Sequence, residues 1–300
     1  MSLYETQDYA FHGTATCTLS PPLCLSLSHF RRTAALMSSP TDTTGMMQWA
    51  GGVLLSNLLC AHPTFLPSKS VVELGCGSAL LSCVASALGC KSVVATDGQS
   101  SVLSLAALNL SQPSSRAAAA PTTALLRWGE TPLPACLSPH TTDLALAAEV
   151  FYHHKGGGQI QGIEEQATAL FSTALRQLLR PCTCPSPACS AGLLLLTYTP
   201  RYPGMARALR TASARLQLHL QPLHRACALT PELRATNNFT DTRLLAVCAC
   251  AAALQGHLAA LGSPQAAPRS EDSDWEEGEL QDREEQGAEV GHGMESSLFS

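Results

Sequence analysis

The segment VVELGCGSALL, residues 71–81, constrains the fold of this chain more than any other part of its sequence. A short apolar run leads into a turn that contains Gly75 and Gly77, and a second apolar run follows. This order is typical of a buried β-strand, a tight turn and a helix. Because glycine carries no Cβ, such a turn lets the backbone approach a ligand closely. The alternative is a strand-to-helix turn that holds no ligand.

Short apolar runs alternate with helical patterns on both sides of this segment. The clearest helix is predicted at residues 163–180, where apolar residues recur at helical spacing between an acidic first turn and a basic last turn. Strands that alternate with helices predict a parallel sheet covered on both faces. Strands are expected at residues 70–74, 92–96, 123–128, 143–148, 192–198, 216–223 and 243–250.

The two ends of the chain lack this alternation. Residues 1–44 combine strand-like fragments with prolines and a polar linker-like stretch, so we expect an N-terminal extension there. Residues 262–300 are polar and acidic, and they hold too few apolar side chains to offset the entropy of ordering. We therefore expect one globular domain at residues 45–261, followed by an acidic disordered tail at residues 262–300.

Composition narrows the cellular setting. No stretch of about 18 uncharged apolar residues occurs, so we predict no membrane span. The start of the chain lacks the basic-then-apolar order of a secretory signal. The 13 cysteines are scattered, several of them inside apolar runs, which is typical of buried thiols in a reducing compartment. We expect a cytoplasmic or nuclear monomer that binds neither a membrane nor, with a net charge of −5, a nucleic acid.

Two carboxylates indicate which ligand the glycine turn would hold. Glu73 precedes Gly75 by two residues, and Leu80 stands where a dinucleotide-binding fingerprint has its third glycine. S-adenosylmethionine (SAM) has no pyrophosphate but carries an ammonium that a carboxylate can meet, so Glu73 favours SAM over NAD. Asp97, at the end of the next predicted strand, would accept hydrogen bonds from ribose hydroxyls. Alternatively, Asp97 caps the helix that begins near Gln99.

Five motifs follow one another between residues 45 and 201. They are a helix with Trp49, ELGCG with Glu73, TDG with Asp97, RWGE with Trp128, and AEVFY with Glu149 and Tyr152. In this order and spacing, the region resembles the seven-β-strand methyltransferases of the DxxY-motif group. Members of this group modify non-histone proteins, and many of them methylate lysine. The resemblance implies a Rossmann-like, doubly wound α/β fold. Its seven-stranded sheet would be mostly parallel, with an antiparallel strand at the C-terminal end.

The resemblance also implies SAM as the cofactor and assigns residues to its pocket. The residues expected to contact the cofactor are Trp49, Glu73, Gly75, Cys76, Gly77, Asp97, Trp128 and Ala148. Among them, Trp128 would lie near the adenine and Ala148 would contribute its backbone. The glycine turn would cradle the methionine moiety. From its spacing alone, however, Trp49 is expected in the core, on the buried face of an amphipathic helix.

The same resemblance predicts catalytic roles for Glu149 and Tyr152, although position 149 departs from the family's pattern. Lysine-modifying members usually have aspartate there, and the extra methylene of Glu149 moves its carboxylate by roughly 1.5 Å. A lysine amine, with a pKa of about 10.4, must lose its proton before it attacks the methyl group. A carboxylate would orient the amine while that proton leaves to water. The alternative role for Glu149 is a strand-end cap.

The expected function is therefore SAM-dependent methylation of a protein side chain, with lysine as the first expectation. Three alternatives stay open: methylation of histidine, methylation of a small molecule, and a SAM-binding module without activity. Glu149 in place of aspartate leaves three consequences open: a reshaped site, a better fit to another nucleophile such as a histidine nitrogen, or no effect. The protein substrate would be the partner.

Three cysteines, Cys182, Cys184 and Cys189, lie close together in the sequence, with His153 and His154 as conceivable companions in a zinc site. Zinc sites usually combine two pairs of ligands, each pair with CxxC-like spacing. Here three thiols lie in one proline-rich stretch. We therefore expect a surface insertion and no metal.

Overall fold

The computed structural model describes residues 4–14, 17–30, 44–111, 116–151, 159–184, 189–223 and 241–261. The strands are β1 Tyr4–Thr14, β2 Cys17–Phe30, β3 Ser70–Leu74, β4 Ser92–Asp97, β5 Thr122–Leu125, β6 Leu144–Ala148, β7 Leu193–Tyr198, β8 His219–Leu223 and β9 Arg243–Cys248. The α-helices are α1 Ala50–Ala61, α2 Leu80–Ala87, α3 Ser100–Leu110, α4 Gln159–Phe171, α5 Met205–Arg215 and α6 Ala251–Ala260. Short 3₁₀ turns lie at Thr44–Met46 and Pro63–Phe65.

Seven strands form one sheet in the order β5-β4-β3-β6-β7-β9-β8. Strands β3 to β7 pair in parallel, whereas β9 runs antiparallel to both of its neighbours, β7 and β8. Strand order reverses beside β3, which places β4 on one side and β6 on the other. The fold is therefore the doubly wound α/β sheet that the sequence predicted, including its antiparallel C-terminal hairpin.

The strand residues alternate between two apolar cores, one on each face of the sheet. Val71 packs with α1, α2 and α6, whereas its neighbour Val72 packs with α4 and α5. The same alternation divides Leu193 from Leu194 in β7. Because both faces are covered, the strands are apolar at nearly every position and not at every second one. This is why the sequence shows continuous apolar runs there.

The β1–β2 hairpin packs on the core that contains α1. Its side chains Tyr9, Phe11, Leu25 and Leu27 are buried in that core. The fully buried Asn109 of α3 joins the hairpin to the domain: its Oδ1 accepts the backbone N–H of residue 28 at 2.9 Å, and its Nδ2 donates to the carbonyl there at 2.9 Å. Part of the expected N-terminal extension thus shares the core of the domain. The predicted tail lies outside the described residues.

The helix predicted at residues 163–180 is present, but its last part is not an α-helix. Helix α4 continues as a π-helix over Ser172–Leu178, where the N–H of Leu179 donates to the carbonyl of Ala174 at 2.8 Å. Such π-segments are frequent at functional sites, and this one contacts the RWGE motif: Gly129 N–H donates to Thr173 Oγ1 at 3.0 Å. In the described part of the chain, no helix has the length and apolar character needed to cross a membrane.

Candidate active site

The backbone after β3 adopts a conformation that requires glycine. Gly75 and Gly77 have φ values of +70° and +53°. A Cβ on Gly75 would lie 2.8 Å from Val150 Cγ1 and 3.5 Å from Trp128 Cζ2. A Cβ on Gly77 would lie 2.7 Å from the carbonyl oxygen of Gly45, which is a backbone atom that cannot rotate away. Conformation and space therefore both exclude larger residues from this turn.

The glycine turn forms one wall of a cleft at the carboxyl ends of β3 and β6. The cleft measures about 340 Å³ including the space at its open mouth. This is the edge of an open α/β sheet at which ligands bind, and it lies where the strand order reverses. Six residues that the sequence analysis assigned to the cofactor line the cleft: Trp49, Glu73, Gly75, Cys76, Gly77 and Ala148.

Glu73 lies beneath the turn and is 4% exposed. Its Oε2 accepts the Ser82 N–H at 2.9 Å and the Ser82 hydroxyl at 2.5 Å. Burial raises the pKa of Glu73 from its usual value of 4.5 to about 8, and the nearby Asp97 adds to the rise, although the Ser82 hydrogen bonds oppose it. Among the described residues, no lysine or arginine forms an ion pair with Glu73. The carboxyl group is therefore a buried acid without a cation.

Asp97 holds the turn from the neighbouring strand β4. Its Oδ2 accepts the Gly77 N–H at 3.2 Å, and its Oδ1 accepts the Gln99 N–H at 3.1 Å. Gln99 is the residue immediately before α3, so the capping contact considered in the sequence analysis is present.

Trp49 and Trp128, the two tryptophans expected to contact the cofactor, lie on the cleft side of the domain. Trp128 lies close to Gly75, because its Cζ2 atom is 3.5 Å from the point where a Cβ on Gly75 would stand. Trp49 is half-buried and stands immediately before α1, where it lines the cleft. The core position that its spacing alone predicted is therefore wrong, because Trp49 precedes the helix and does not take part in its buried face. The Arg201 guanidinium lies over the Trp49 ring, 4.8 Å from the ring centroid.

Glu149 follows β6, and its carboxylate is surrounded by donors. Its Oε1 accepts the Thr199 hydroxyl at 2.7 Å, while its Oε2 accepts the Thr199 N–H and an Arg201 Nη2 donor, both at 3.2 Å. The side chain is 3% exposed, whereas that of Arg201 is 30% exposed. Glu149 has a φ of +55°, a conformation that costs a non-glycine residue about 1–2 kcal/mol. Such strain is common at functional sites.

The first turn of α1 lies directly against this carboxylate. A Cβ on Gly51 would lie 2.6 Å from Glu149 Oε1 and 2.6 Å from Thr197 Oγ1. The positive end of a helix dipole favours a negative charge at this position. Through Arg201, the same carboxylate is connected to Trp49 at the cleft. Glu149 itself does not line the cleft, in contrast to its neighbour Ala148.

Sequence reasoning missed several residues of this region. Gln48 and Ser78 line the cleft and are joined by a 2.8 Å hydrogen bond from the Ser78 hydroxyl to Gln48 Oε1. Thr199 and Arg201 follow β7, the strand next to β6, so the rule that carboxyl ends of parallel strands meet could have indicated them. Tyr152, His153 and His154 lie outside the described residues, so the role predicted for Tyr152 stays a prediction.

Comparison with known families gives one match. Residues 35–160, somewhat less than half of the chain, match the sequence model of a family described as lysine methyltransferase. The matched range contains the glycine turn, Asp97, Trp128 and Glu149. No curated protein matches the chain.

Solved structures of methyltransferases are distant neighbours. The T. thermophilus 16S rRNA methyltransferase, in complex with SAM and guanosine, is 14% identical with a TM-score of 0.47; the match covers 83% of this chain and 51% of that one. This chain thus spans about half the length of that enzyme. The Synechocystis magnesium protoporphyrin IX methyltransferase with bound SAM is 15% identical with a TM-score of 0.44, covering 65% and 76% of the two chains. A SAM-dependent methyltransferase from Mesorhizobium loti is 15% identical with a TM-score of 0.42, covering 65% and 99%. Similarities this distant say nothing about the substrate.

Proposed function

Because residues 35–160 match the model of a family described as lysine methyltransferase, we propose that this chain is a SAM-dependent methyltransferase that modifies a protein side chain, with lysine as the first candidate. The observation that carries the proposal is the buried Glu73 carboxyl beneath the glycine turn, at the wall of an open cleft. SAM carries a methyl group on a sulfonium. A neutral nitrogen attacks that methyl carbon, the C–S bond breaks, and the demethylated cofactor leaves as a neutral thioether. The protein's contribution is to bind the donor, hold the acceptor in line and remove the proton that the acceptor carries.

The cleft fits the amino-acid end of SAM in shape and in charge. Gly75 and Gly77 line the cleft with backbone alone, because neither residue has a side chain. Glu73 is a buried acid that lacks a cation, and a charged group is costly to bury unless it is paired. The ammonium of SAM would supply that pair and would favour the ionised carboxylate. A pyrophosphate is an anion and would supply Glu73 with no such pair.

The ribosyl end of SAM would lie toward Asp97 and Trp128. Asp97 ends β4, the position at which an acid of a ribosyl-cofactor site accepts hydrogen bonds from the vicinal hydroxyls. Trp128 would offer a flat apolar surface beside Gly75 for an aromatic base. Cys76 and Ala148 would contribute cleft wall on either side of the turn. These assignments all concern residues that the resemblance named.

Glu149 is proposed to act on the acceptor side and not on the cofactor. Two arrangements give it such a role. In the arrangement present here, Glu149 holds Thr199 and Arg201, and Arg201 covers Trp49 at the cleft. In a second arrangement, Arg201 moves into solvent and an acceptor ammonium takes its place on the carboxylate. The three donors favour the first, in which Glu149 is a positioning residue and the strand-end cap of the sequence analysis is part of its role.

The proposed function is tested by incubating the purified full chain with methyl-labelled SAM and host lysate. We expect label in protein, and methyl-lysine after acid hydrolysis and amino-acid analysis. Methyl-histidine would replace lysine with histidine as the acceptor, and label confined to small molecules would overturn the proposal. A lysate that takes up no label while the chain still binds SAM would identify a binding module without activity. A heat-inactivated sample of the chain is the control for methyltransferases of the lysate itself.

A further inference from the structure

Four cysteines converge at the edge of the sheet opposite to the cleft. Cys182, Cys184 and Cys189 come from the stretch before β7, and Cys250 stands immediately before α6. Their four sulfur atoms all lie within 4.8 Å of one another. The Cys184 and Cys250 sulfurs are 3.1 Å apart, and the Cys182 and Cys189 sulfurs are 3.7 Å apart. No other group of three or more metal-ligand side chains occurs among the described residues.

The spacing of these sulfurs suits a tetrahedral ion. Zinc binds thiolate at about 2.3 Å, which requires the four sulfurs of a tetrahedral site to lie about 3.8 Å apart. Two separate thiol pairs would bring each sulfur close to one partner only. Here each sulfur is close to all three others. A set of four thiolates is also the ligand set that structural zinc sites use, whereas calcium and magnesium take oxygen ligands.

Two features of the cluster favour a thiolate, one at Cys182 and one at Cys250. The Cys184 N–H donates to the Cys182 sulfur at 3.4 Å, a contact that stabilises negative charge on sulfur. Cys250 is the residue at the N-terminus of α6, a position at which the helix dipole favours an anionic sulfur. Cys250 is buried, whereas Cys182 and Cys184 are exposed, so an ion has an entry path from solvent.

The topology explains why these residues meet. Strands β7 and β9 are antiparallel neighbours, and Leu193 at the start of β7 pairs with Cys248 at the end of β9. Cys189 precedes that start and Cys250 follows that end, so both lie at one edge of the sheet. Cys250 follows Cys189 by 61 positions, so the sequence shows only three cysteines close together. A surface insertion without metal was expected from the sequence because the fourth ligand, Cys250, was not recognised.

We propose that Cys182, Cys184, Cys189 and Cys250 bind one zinc ion in a structural site that joins the segment before β7 to the start of α6. On binding, the four thiols lose their protons to solvent and each sulfur forms one bond to zinc, with no change of oxidation state. All four tetrahedral positions are then filled by protein, so the site holds no water for catalysis. It lies at the edge of the sheet away from the glycine turn, and its role is to stabilise the fold.

The first test is the metal content of the full chain, purified without chelator from cells supplied with zinc. We expect close to one zinc per chain by mass spectrometry of the elements. Cys250→Ser should reduce the content to near zero, and Cys136→Ser, at an exposed cysteine outside the cluster, should leave it unchanged. Cys182→Ser is the second variant, because an exposed position is tolerant of change and should keep the chain folded. SAM binding reports whether each variant has folded.

The second test uses cobalt as a probe of the ligands. Adding Co²⁺ to the zinc-free chain should produce the intense absorption of tetrahedral cobalt bound to thiolates, and added Zn²⁺ should abolish it. The proposal is overturned if the folded wild type contains no zinc and gives no such absorption. It is equally overturned if mass spectrometry of the unreduced chain finds disulfides within the cluster, or if both serine variants retain zinc.

Discussion

Glu73 and Glu149 lie at the carboxyl ends of two neighbouring parallel strands, and both are buried, at 4% and 7% exposure. Their surroundings are nevertheless opposite. Among the described residues, Ser82 is the side chain that donates to Glu73, and burial raises the pKa of Glu73 to about 8. Glu149 receives two bonds from Thr199 and an ion pair from Arg201. Glu73 and Glu149 are thus both buried glutamates, but among the described residues only Glu149 has a cationic partner.

The difference indicates what each acid is for. A buried carboxyl without a cation is neutral at pH 7 and gains most from a ligand that brings positive charge. A carboxylate that already holds an arginine gains little from such a ligand and instead fixes the groups around it. We therefore propose that Glu73 contacts the cofactor and that Glu149 positions the acceptor side. Variants of the two acids and of the glycines beside them test this division.

The largest effect is expected from Gly77→Val, which disrupts the turn above Glu73. Its Cβ would lie 2.7 Å from the Gly45 carbonyl oxygen, and its φ of +53° is unfavourable for a branched residue. We expect SAM affinity to fall at least about a hundredfold, or 2.7 kcal/mol, in calorimetry. Gly256→Val is the matched control, because a Cβ there meets no atom within 4 Å. Equal affinities in the two variants would show that SAM does not bind at this turn.

Glu149→Gln preserves the shape of the Glu149 side chain and removes its charge. We expect turnover to fall roughly ten- to a hundredfold, while SAM affinity changes by less than about tenfold, or 1.4 kcal/mol. Steady-state kinetics and calorimetry on the same preparation measure the two quantities. Glu149→Asp, the residue usual in lysine-modifying relatives, is the sharper probe: retained activity would place the enzyme with them. Wild-type turnover in the Gln variant would leave the carboxylate with a structural role only.

Gly51→Ala tests the contact between α1 and Glu149 without changing either acid. The added Cβ would lie 2.6 Å from Glu149 Oε1 and 2.6 Å from Thr197 Oγ1. Such overpacking should lower the free energy of unfolding by about 1–3 kcal/mol in urea denaturation. Gly162→Ala is the control, since its Cβ meets nothing within 4 Å and alanine favours helix. Equal or greater stability in Gly51→Ala would contradict the close packing described here.

The smallest effect is a change of stability with pH that depends on Glu73. Its pKa is raised from 4.5 to about 8 in the folded chain, so the unfolded chain loses this proton first. Its contribution to stability is therefore fully present below pH 4.5 and is lost as pH rises toward 8. Without SAM, wild type should lose at most about 1.4 kcal/mol of stability relative to Glu73→Gln between pH 6 and pH 7. Parallel curves for the two proteins would contradict the raised pKa.

The sheet was predictable because its information is local. Apolar runs in β3, β6 and β7 and the glycine pair in the turn are read directly from the sequence, and Glu73 precedes that turn by only two residues. The family resemblance supplied Trp49 and Trp128, which spacing alone would have misplaced or missed. Contacts that depend on strand order were not predictable, because Arg201 meets Glu149 across 52 residues. For the same reason, the sequence did not connect Cys250 with the three cysteines that precede β7.

The central claim is that Glu73 is the neutral acid that ionises when it receives the ammonium of SAM. Calorimetry of SAM binding at pH 7, in two buffers with different ionisation enthalpies, measures this proton directly. We predict release of close to one proton by wild type and by Glu149→Gln, and no release by Glu73→Gln. Binding by wild type without proton release, or release that persists in Glu73→Gln, would contradict the account.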